Sequence, residues 1–404
     1  MMTAAITTVL SVPALFCAVC SLYLVVLLTA ALIGTRVKTR ARETEPTVRL
    51  TVVIPAHDEE KFLPRTIESV QRCDYPREAY EIVVVADNCT DHTADVARTY
   101  GVTVLERQDP LLRGKGHALD FFIRHYLSTQ EAVEAVIVID ADSAVTSNLL
   151  RKVGRCVASG SVAGQVRDTA DNAGEGWRPA MQFISLALKN HVRALGRQAL
   201  GCSAGLFGNG MFFSRRLLLE RGWPAKSIVE DLEFGLSLVL DGVGVCYVPE
   251  AEVRALMPTT DSAGQVQKSR WEFGQWQLAR GKLVPLLRTA VRMRSFEPLL
   301  WCLDLLTPPL VTLFVADGFI LVSSLILLLL IATWPAFIPV VVSALGVAFL
   351  SFYAVGGLLL SKAPRAVWCS LLMLPVYALW KIRLYVRLLV KGGPTAWVRT
   401  DRDQ

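Results

Sequence analysis

Charge is what this chain has least of. Only 19% of its 404 residues are Asp, Glu, Lys or Arg, against 52% hydrophobic, which sets it apart from an average soluble domain. The shortage is concentrated in two places. No charged side chain occurs from Met1 to Thr35, and none from Gly318 to Ser361. A bilayer crossing takes about 20 apolar residues, so the first stretch fits one helix and the second fits two. A retained anchor is a better reading than a cleaved secretion signal, because no basic residue precedes Arg36 and the apolar run is too long. Residues 1–35 are expected to form a retained anchor.

Other absences narrow the field. The nine cysteines are odd in number and have no framework spacing. Cys17-x-x-Cys20 has the spacing of a metal or redox pair, but inside an apolar anchor it reads as two small packing residues. Most of the other cysteines fall in a predicted cytoplasmic domain, where thiols stay reduced. There is no zinc-finger, RNA-recognition or helix-turn-helix pattern, no internal repeat and no low-complexity linker. The net charge of +6 comes from basic residues beside the apolar segments, where it sets orientation and meets anionic headgroups. Nucleic-acid binding is not expected.

Arg36, Lys38, Arg40 and Arg42 follow the anchor directly, and such residues mark the cytoplasmic side. Residues from about 36 to 294 are therefore expected in the cytoplasm, at the inner or plasma membrane. The rest divides into a catalytic domain over 36–263, interfacial helices over 264–308, a membrane region over 309–392 and a basic tail over 393–404. The membrane region predicts a helical hairpin near 309–333 and 336–361, turning at Trp334-Pro335. The last apolar segment, Ala366 to about Leu379, runs into Lys381, Arg383, Arg387 and Lys391. A full crossing would put that charge outside, so a partial insertion or interfacial helix is preferred. A crossing near 295–312 is the alternative, although Asp304 and Pro308-Pro309 weaken it.

Between the apolar segments the pattern changes to short β-branched runs. Arg49–Ile54, Glu81–Ala86, Val102–Leu105 and Ala135–Ile139 read as strands, separated by helices over about 60–72, 91–100 and from 116 onward. That alternation predicts an α/β fold built on a mostly parallel, doubly wound sheet. Ligands of such sheets bind outside the carboxyl ends of the strands, and Asp58, Asp87 and Asp140 each stand just past a different strand.

Asp140-Ala-Asp142 puts two carboxylates at one strand exit. Mg²⁺ and Mn²⁺ prefer hard oxygen ligands, often one or two carboxylates completed by substrate phosphates. Alone the tripeptide also suits a solvated turn or a helix cap; the strand before it points to a metal. Glu230-Asp231 opens a helical run to Leu240, where acids cap well. A carboxylate fixed there can also draw a proton from a hydroxyl nucleophile, the role given to Asp231 with Glu230 beside it. Arg113-Gly-Lys115-Gly116 lacks the Walker form; it reads equally as a phosphate-approaching loop with Lys115 as point charge or as a plain surface loop. Gly208-Asn209-Gly210 either admits an acceptor or marks a bend before a strand. In Gln267-x-x-Arg270-Trp271 the guanidinium offers a fork for phosphate and the indole a flat face for a sugar ring; the same residues also suit a membrane-surface helix.

Taken in order, Pro55-Ala-His-Asp-Glu59, Asp87, Gly114-Lys115-Gly116, Asp140-x-Asp142, Glu230-Asp231 and Gln267-x-x-Arg270-Trp271 resemble membrane-embedded glycosyltransferase family 2. That group includes the cellulose, chitin, hyaluronan and poly-N-acetylglucosamine synthases, and the likeness runs from about 49 to 285. It implies a GT-A fold, a nucleotide-activated sugar donor, most often UDP-linked, and Mg²⁺ or Mn²⁺. It further implies that Asp87 meets the base, with Pro55 and Glu59 lining the nucleoside pocket. Asp140 and Asp142 would hold diphosphate and metal, and Asp231 would be the base. Gln267, Arg270 and Trp271, with Asn209 nearby, would bind diphosphate and acceptor. Two positions depart from the pattern: His57-Asp58 replaces Tyr-Asn, and Val229 stands where Thr is common. The expected activity is inverting sugar transfer to a growing polysaccharide, with single transfer to a lipid acceptor, such as a polyprenyl phosphate or a ceramide-like lipid, as the alternative. Membrane lipids are expected partners, and a partner subunit is left open.

Overall fold

The computed structural model describes residues 2–35, 47–224, 227–331 and 333–391. The basic cluster Arg36 to Arg42 and the tail over 393–404 lie outside the described residues.

The four β-branched runs form parallel strands: β1 (Leu50–Ala56), β2 (Tyr80–Asp87), β3 (Thr103–Arg107) and β4 (Ala135–Val138). They lie side by side in the order β3-β2-β1-β4. Alternate side chains feed two cores. Val52, Ile54, Ile82 and Val84 pack on one face, against Ile67 and Val153 of the helices Leu63–Gln71 and Leu149–Ala158. Val53, Val83, Val85 and Val136 pack on the other, against Phe122 and Phe234 of Lys115–His125 and Glu230–Leu240. Burial on both faces is why β1, β2 and β4 read as apolar runs, whereas the edge strand β3 is partly exposed.

The other half of the sheet is mixed. It contains β5 (Ser143–Val145), β6 (Ala163–Ala170), β7 (Met211–Ser214) and β8 (Cys246–Ala255). Strand β7 is antiparallel to both β4 and β6, β6 is parallel to β8, and β5 closes the edge antiparallel to β8. The reversed β7 has a consequence for the site. Because it runs against β4, its start lies beside the end of β4, with Met211 opposite Val138. Gly208-Asn209-Gly210 is thereby brought next to Asp140.

Between β6 and β7 the chain makes a long helical excursion, Trp177–Leu186, a π-helical turn over Ala187–Val192, and Arg193–Ala199. This rod packs on the N-terminal helix Met2–Gly34. A Cβ on Gly196 would lie 2.3 Å from the Leu27 carbonyl oxygen, so the two helices approach this closely only with glycine there. Leu24, Leu27 and Leu28 join Leu350 and Tyr353 of the helix Trp334–Leu360 in a shared core.

Among the described residues, four helices are long and apolar enough to cross a membrane: Thr7–Gly34, Leu310–Leu330, Trp334–Leu360 and Arg365–Leu388. Phe319, Leu329 and Phe337 stand exposed on their outer sides, as lipid-facing residues do. The segment that offered an alternative crossing near 295–312 contains the helix Glu297–Leu306, whose 10 residues are too few to span a bilayer. Its Asp304 is buried and accepts hydrogen bonds from Arg193 (3.1 Å), Arg197 (3.0 Å) and Tyr23 (3.0 Å). Cys17 and Cys20 are buried free thiols in the apolar core.

Candidate active site

Strands β1, β2 and β4 are parallel, so their carboxyl ends meet at one edge and deliver three segments to one place. Pro55, His57 and Glu59 come from the end of β1, Asp87 is the last residue of β2, and Asp140 to Asp142 form the turn after β4. These residues line a cavity of about 170 Å³ together with Lys115 and Arg270. A larger cavity, about 520 Å³, adjoins it and shares Lys115, Asp140, Asp142 and Arg270; its walls add Asn209, Glu230, Asp231, Gln267 and Trp271. The candidate residues from the sequence thus surround two connected spaces, except Asp58, which accepts from the Thr90 backbone N–H and lines neither.

Each side chain is held in a definite way. The Lys115 ammonium pairs with the Asp140 carboxylate and donates to the Gly208 carbonyl at 2.6 Å. Asp142 is buried and accepts from the Ser143 hydroxyl at 3.2 Å. Asn209 lines the larger cavity, but its amide is committed elsewhere. Its Oδ1 accepts from the Asp140 backbone N–H (3.1 Å) and its Nδ2 donates to Ser143 Oγ (2.8 Å), which clamps the acidic turn. Asp87 is gripped by Arg107 at 2.5 Å, and its carbonyl accepts from His57 Nδ1 at 2.7 Å. Gln267 is buried and accepts from Gln182 at 3.1 Å. The Lys268 ammonium lies 5.3 Å from the Trp271 ring centre.

Glu230 and Asp231 occupy the first turn of their helix, where the exposed N–H groups favour negative charge. Burial nevertheless pushes the Glu230 carboxyl up to about 7, with Asp231 and Asp140 adding repulsion against the pull of Lys115 and the Gly116 N–H. Burial raises Asp231 as well, opposed by the Leu232 N–H and by Lys115 and Lys189. Burial lowers Arg270, while Asp231, Asp140 and Glu230 work against that shift; the guanidinium faces the acids.

Two residues at this site carried no signal in the sequence. Asp168, in the middle of β6, lines the larger cavity and its Oδ1 has no hydrogen-bond partner. Burial, then repulsion from Asp140, holds its carboxyl well above the usual range. Lys189 sits in the π-helical turn and lines a smaller space with Asp231 and Trp271. Such turns recur at functional sites, but no residue pattern announces them.

Five carboxylates, those of Asp140, Asp142, Asp168, Glu230 and Asp231, line the larger cavity. Burial is the main cause that raises the carboxyls of Asp168, Glu230 and Asp231, and repulsion between acids adds to it at Asp168 and Glu230. The hard oxygens of Asp140 and Asp142 suit Mg²⁺ or Mn²⁺, with a ligand's phosphates completing the shell. A three-donor group, Asp58 with Cys89 and Asp91, exists nearby, but the Thr90 backbone N–H already occupies Asp58 at 2.6 Å.

Comparison with known proteins decides the family. Residues 46–274, more than half of the chain, match the model described as glycosyltransferase like family 2. The chain belongs to glycosyltransferase-like family 2. It is 30% identical over 237 residues to a beta-monoglucosyldiacylglycerol synthase of Nostoc sp., an alignment covering 56% of this chain and 49% of that protein. A probable glycosyltransferase of Sulfolobus acidocaldarius is 24% identical over 284 residues, 66% of this chain and 58% of that one. The chain spans about half the length of the curated family 2 relatives it matches. A mannosyltransferase from Pyrobaculum calidifontis, solved in complex with GDP-Man and Mn²⁺, superposes with a TM-score of 0.54 at 17% identity, covering 85% of this chain and 98% of that one. The likeness is one of fold: a GT-A-type sheet domain flanked by apolar helices.

Proposed function

We propose that this family 2 chain is an inverting membrane glycosyltransferase that passes one sugar from a nucleotide-activated donor to a lipid acceptor. The observation that carries the reading is the position of Trp271. It lines the large acidic cavity, the smaller space beside Asp231, and a cleft walled by Met181, Ile184, Leu188, Leu310 and Leu374. A largely apolar cleft that leads, through the space shared by Lys189 and Trp271, toward the proton acceptor suits a lipid with a hydroxyl head. A growing polysaccharide, the first expectation from the sequence, would need a polar path instead. The beta-monoglucosyldiacylglycerol synthases among the relatives support the same choice.

The nucleoside lies against Pro55, Glu59 and Asp87, and the diphosphate points toward Asp140 and Asp142. When bound there, a divalent cation supplies stabilisation of the negative charge on the leaving diphosphate. Asp231 takes the proton of the acceptor hydroxyl, and its raised proton affinity improves it as a base. The hydroxyl oxygen forms a bond to the anomeric carbon as the bond to the diphosphate oxygen breaks on the opposite face, so the centre inverts. Lys115 and Arg270 stabilise the departing charge, and Asn209 positions the acidic turn. The test is incubation of the purified protein in lipid vesicles with labelled sugar nucleotides, with Mn²⁺ or with chelator. Label in the organic phase as a single sugar supports the reading. Long water-soluble chains, or hydrolysis of the donor without transfer, would overturn it.

A further inference from the structure

The cleft beneath Trp271 is apolar on its walls but not throughout. It measures about 90 Å³, and Lys189 and Lys268 both line it. Lys268 is only 5% exposed; its Nζ donates to Ser185 Oγ at 3.1 Å. Lys189 Nζ donates to Gln275 Oε1 at 2.8 Å. Among the described residues, neither amine has a carboxylate within ion-pair distance. The neighbouring cations differ in this respect, since Lys381 pairs with Glu272 at 2.7 Å and Arg193 with Asp304 at 3.1 Å. Burial, then the charge of Lys381, depresses the Lys268 ammonium to about 7 against the pull of Glu272, and burial with Arg193 lowers Lys189 against the more distant Asp304, Glu272 and Asp231. A buried ammonium without a counter-ion is costly, and an anion placed between two of them would remove that cost through charge-assisted hydrogen bonds. Lys189 also borders the space that contains Asp231, so an anion held there is a short step from the base.

Resting on the lipid-acceptor reading above, we propose that the acceptor is an anionic lipid: its phosphate sits on Lys189 and Lys268, its chains follow the apolar wall, and its hydroxyl reaches Asp231. The chemistry differs from that of diacylglycerol, which has a hydroxyl but no charge. The experiment uses the full chain in phosphatidylcholine vesicles doped with either phosphatidylglycerol or diacylglycerol. Native mass spectrometry reads the lipid retained, and label in the organic phase reads transfer. Phosphatidylglycerol should be retained over diacylglycerol by about tenfold or more, the effect of one charge-assisted contact. Lys268→Met and Lys189→Met should each erase most of that preference, while Lys268→Arg keeps it. Equal retention of the two lipids by the unaltered protein would overturn the inference, as would sugar transfer to phosphatidylglycerol that neither Met variant lowers. So would displacement of the lipid by inorganic phosphate alone, which would mark a free-phosphate site. If no sugar nucleotide is turned over at all, the transferase reading fails, whereas lipid retention still decides this one.

Discussion

Asp231 and Glu230 are neighbours in the chain but stand in different surroundings. Asp231 borders both the donor cavity and the space leading to the membrane cleft, whereas Glu230 is turned toward Gly116, where an added Cβ would lie 2.2 Å from its Oε2. Asp231→Asn should lower transfer by on the order of 10²–10⁴-fold, the usual worth of a positioned base. Donor affinity, measured by calorimetry, should change little. Turnover within about threefold of the parent would remove Asp231 from the base role. Glu230 gives a pH signature of its own. Its carboxyl titrates near 4.5 when unfolded and about 7 when folded. Between those values the folded state keeps a proton that the unfolded state releases, so the stability tied to that proton is complete below about 4.5 and is lost as pH rises through about 7. Glu230→Gln removes the titration. In thermal melts at a series of pH values its advantage over the parent should grow across that window, and parallel curves would show that Glu230 ionises normally.

At the scale of elements, the ion cluster around Asp304 joins three helices that are far apart in sequence. Burial alone would raise the Asp304 carboxyl, but Arg197 and Arg193 hold it down to about 2. Arg197 also stacks 4.2 Å from the Trp301 ring centre. Asp304→Leu would leave two buried guanidiniums without their carboxylate, at a cost of about 3–5 kcal/mol. It should lower the melting temperature in detergent sharply, and Arg193→Met with Arg197→Met in the same chain should restore part of the loss. A melting point unchanged by Asp304→Leu would mean that the cluster contributes nothing. This cluster also shows where sequence reading stops. Strands β1, β2 and β4 were legible because burial on both faces demands near-unbroken apolar, β-branched runs. Strand β5 has three residues, and β6 contains the polar run Gln165-Val-Arg167-Asp168-Thr169, in which Gln165 and Arg167 are tolerated through distant partners, the Asn209 carbonyl for one and Glu252 and the Ser361 carbonyl for the other. Asp87, Asp140 and Glu230 were legible because strand ends and helix starts have their own residue patterns. Asp168 lies mid-strand and Lys189 in a π-helical turn, where local sequence shows no boundary. Asp304 looked like a flaw in a membrane helix, since its arginine partners sit more than a hundred residues earlier.

Across the whole molecule, the last apolar helix tests how the chain sits in a bilayer. Arg365–Leu388 contains 24 residues and is apolar enough to cross, a length of about 36 Å. Its contacts argue against crossing. Just before it, the Ser361 carbonyl accepts from Arg167 of β6 at 3.0 Å, which places the start of the helix at the sheet domain. Further along, Trp380 donates to Asp261, Lys381 pairs with Glu272 at 2.7 Å and Arg387 donates to Gln265 at 2.8 Å, all on the helix Asp261–Met293. Tyr385 meets Thr312, at the domain end of Leu310–Ile331, at 2.7 Å. A spanning helix cannot have both ends at one surface, so this one should lie along the interface and keep Lys381, Arg383 and Arg387 on the domain's face. Single-cysteine labelling with a membrane-impermeant maleimide in sealed vesicles checks this. Native Cys369 is exposed; the other probes are Arg387→Cys, Lys61→Cys on the sheet domain and Trp334→Cys at the tip of the hairpin. Positions 61, 369 and 387 should react from one side and 334 from the other. Labelling of 387 together with 334 would establish a fourth crossing, and the contacts to Asp261, Gln265 and Glu272 could not then exist in the membrane.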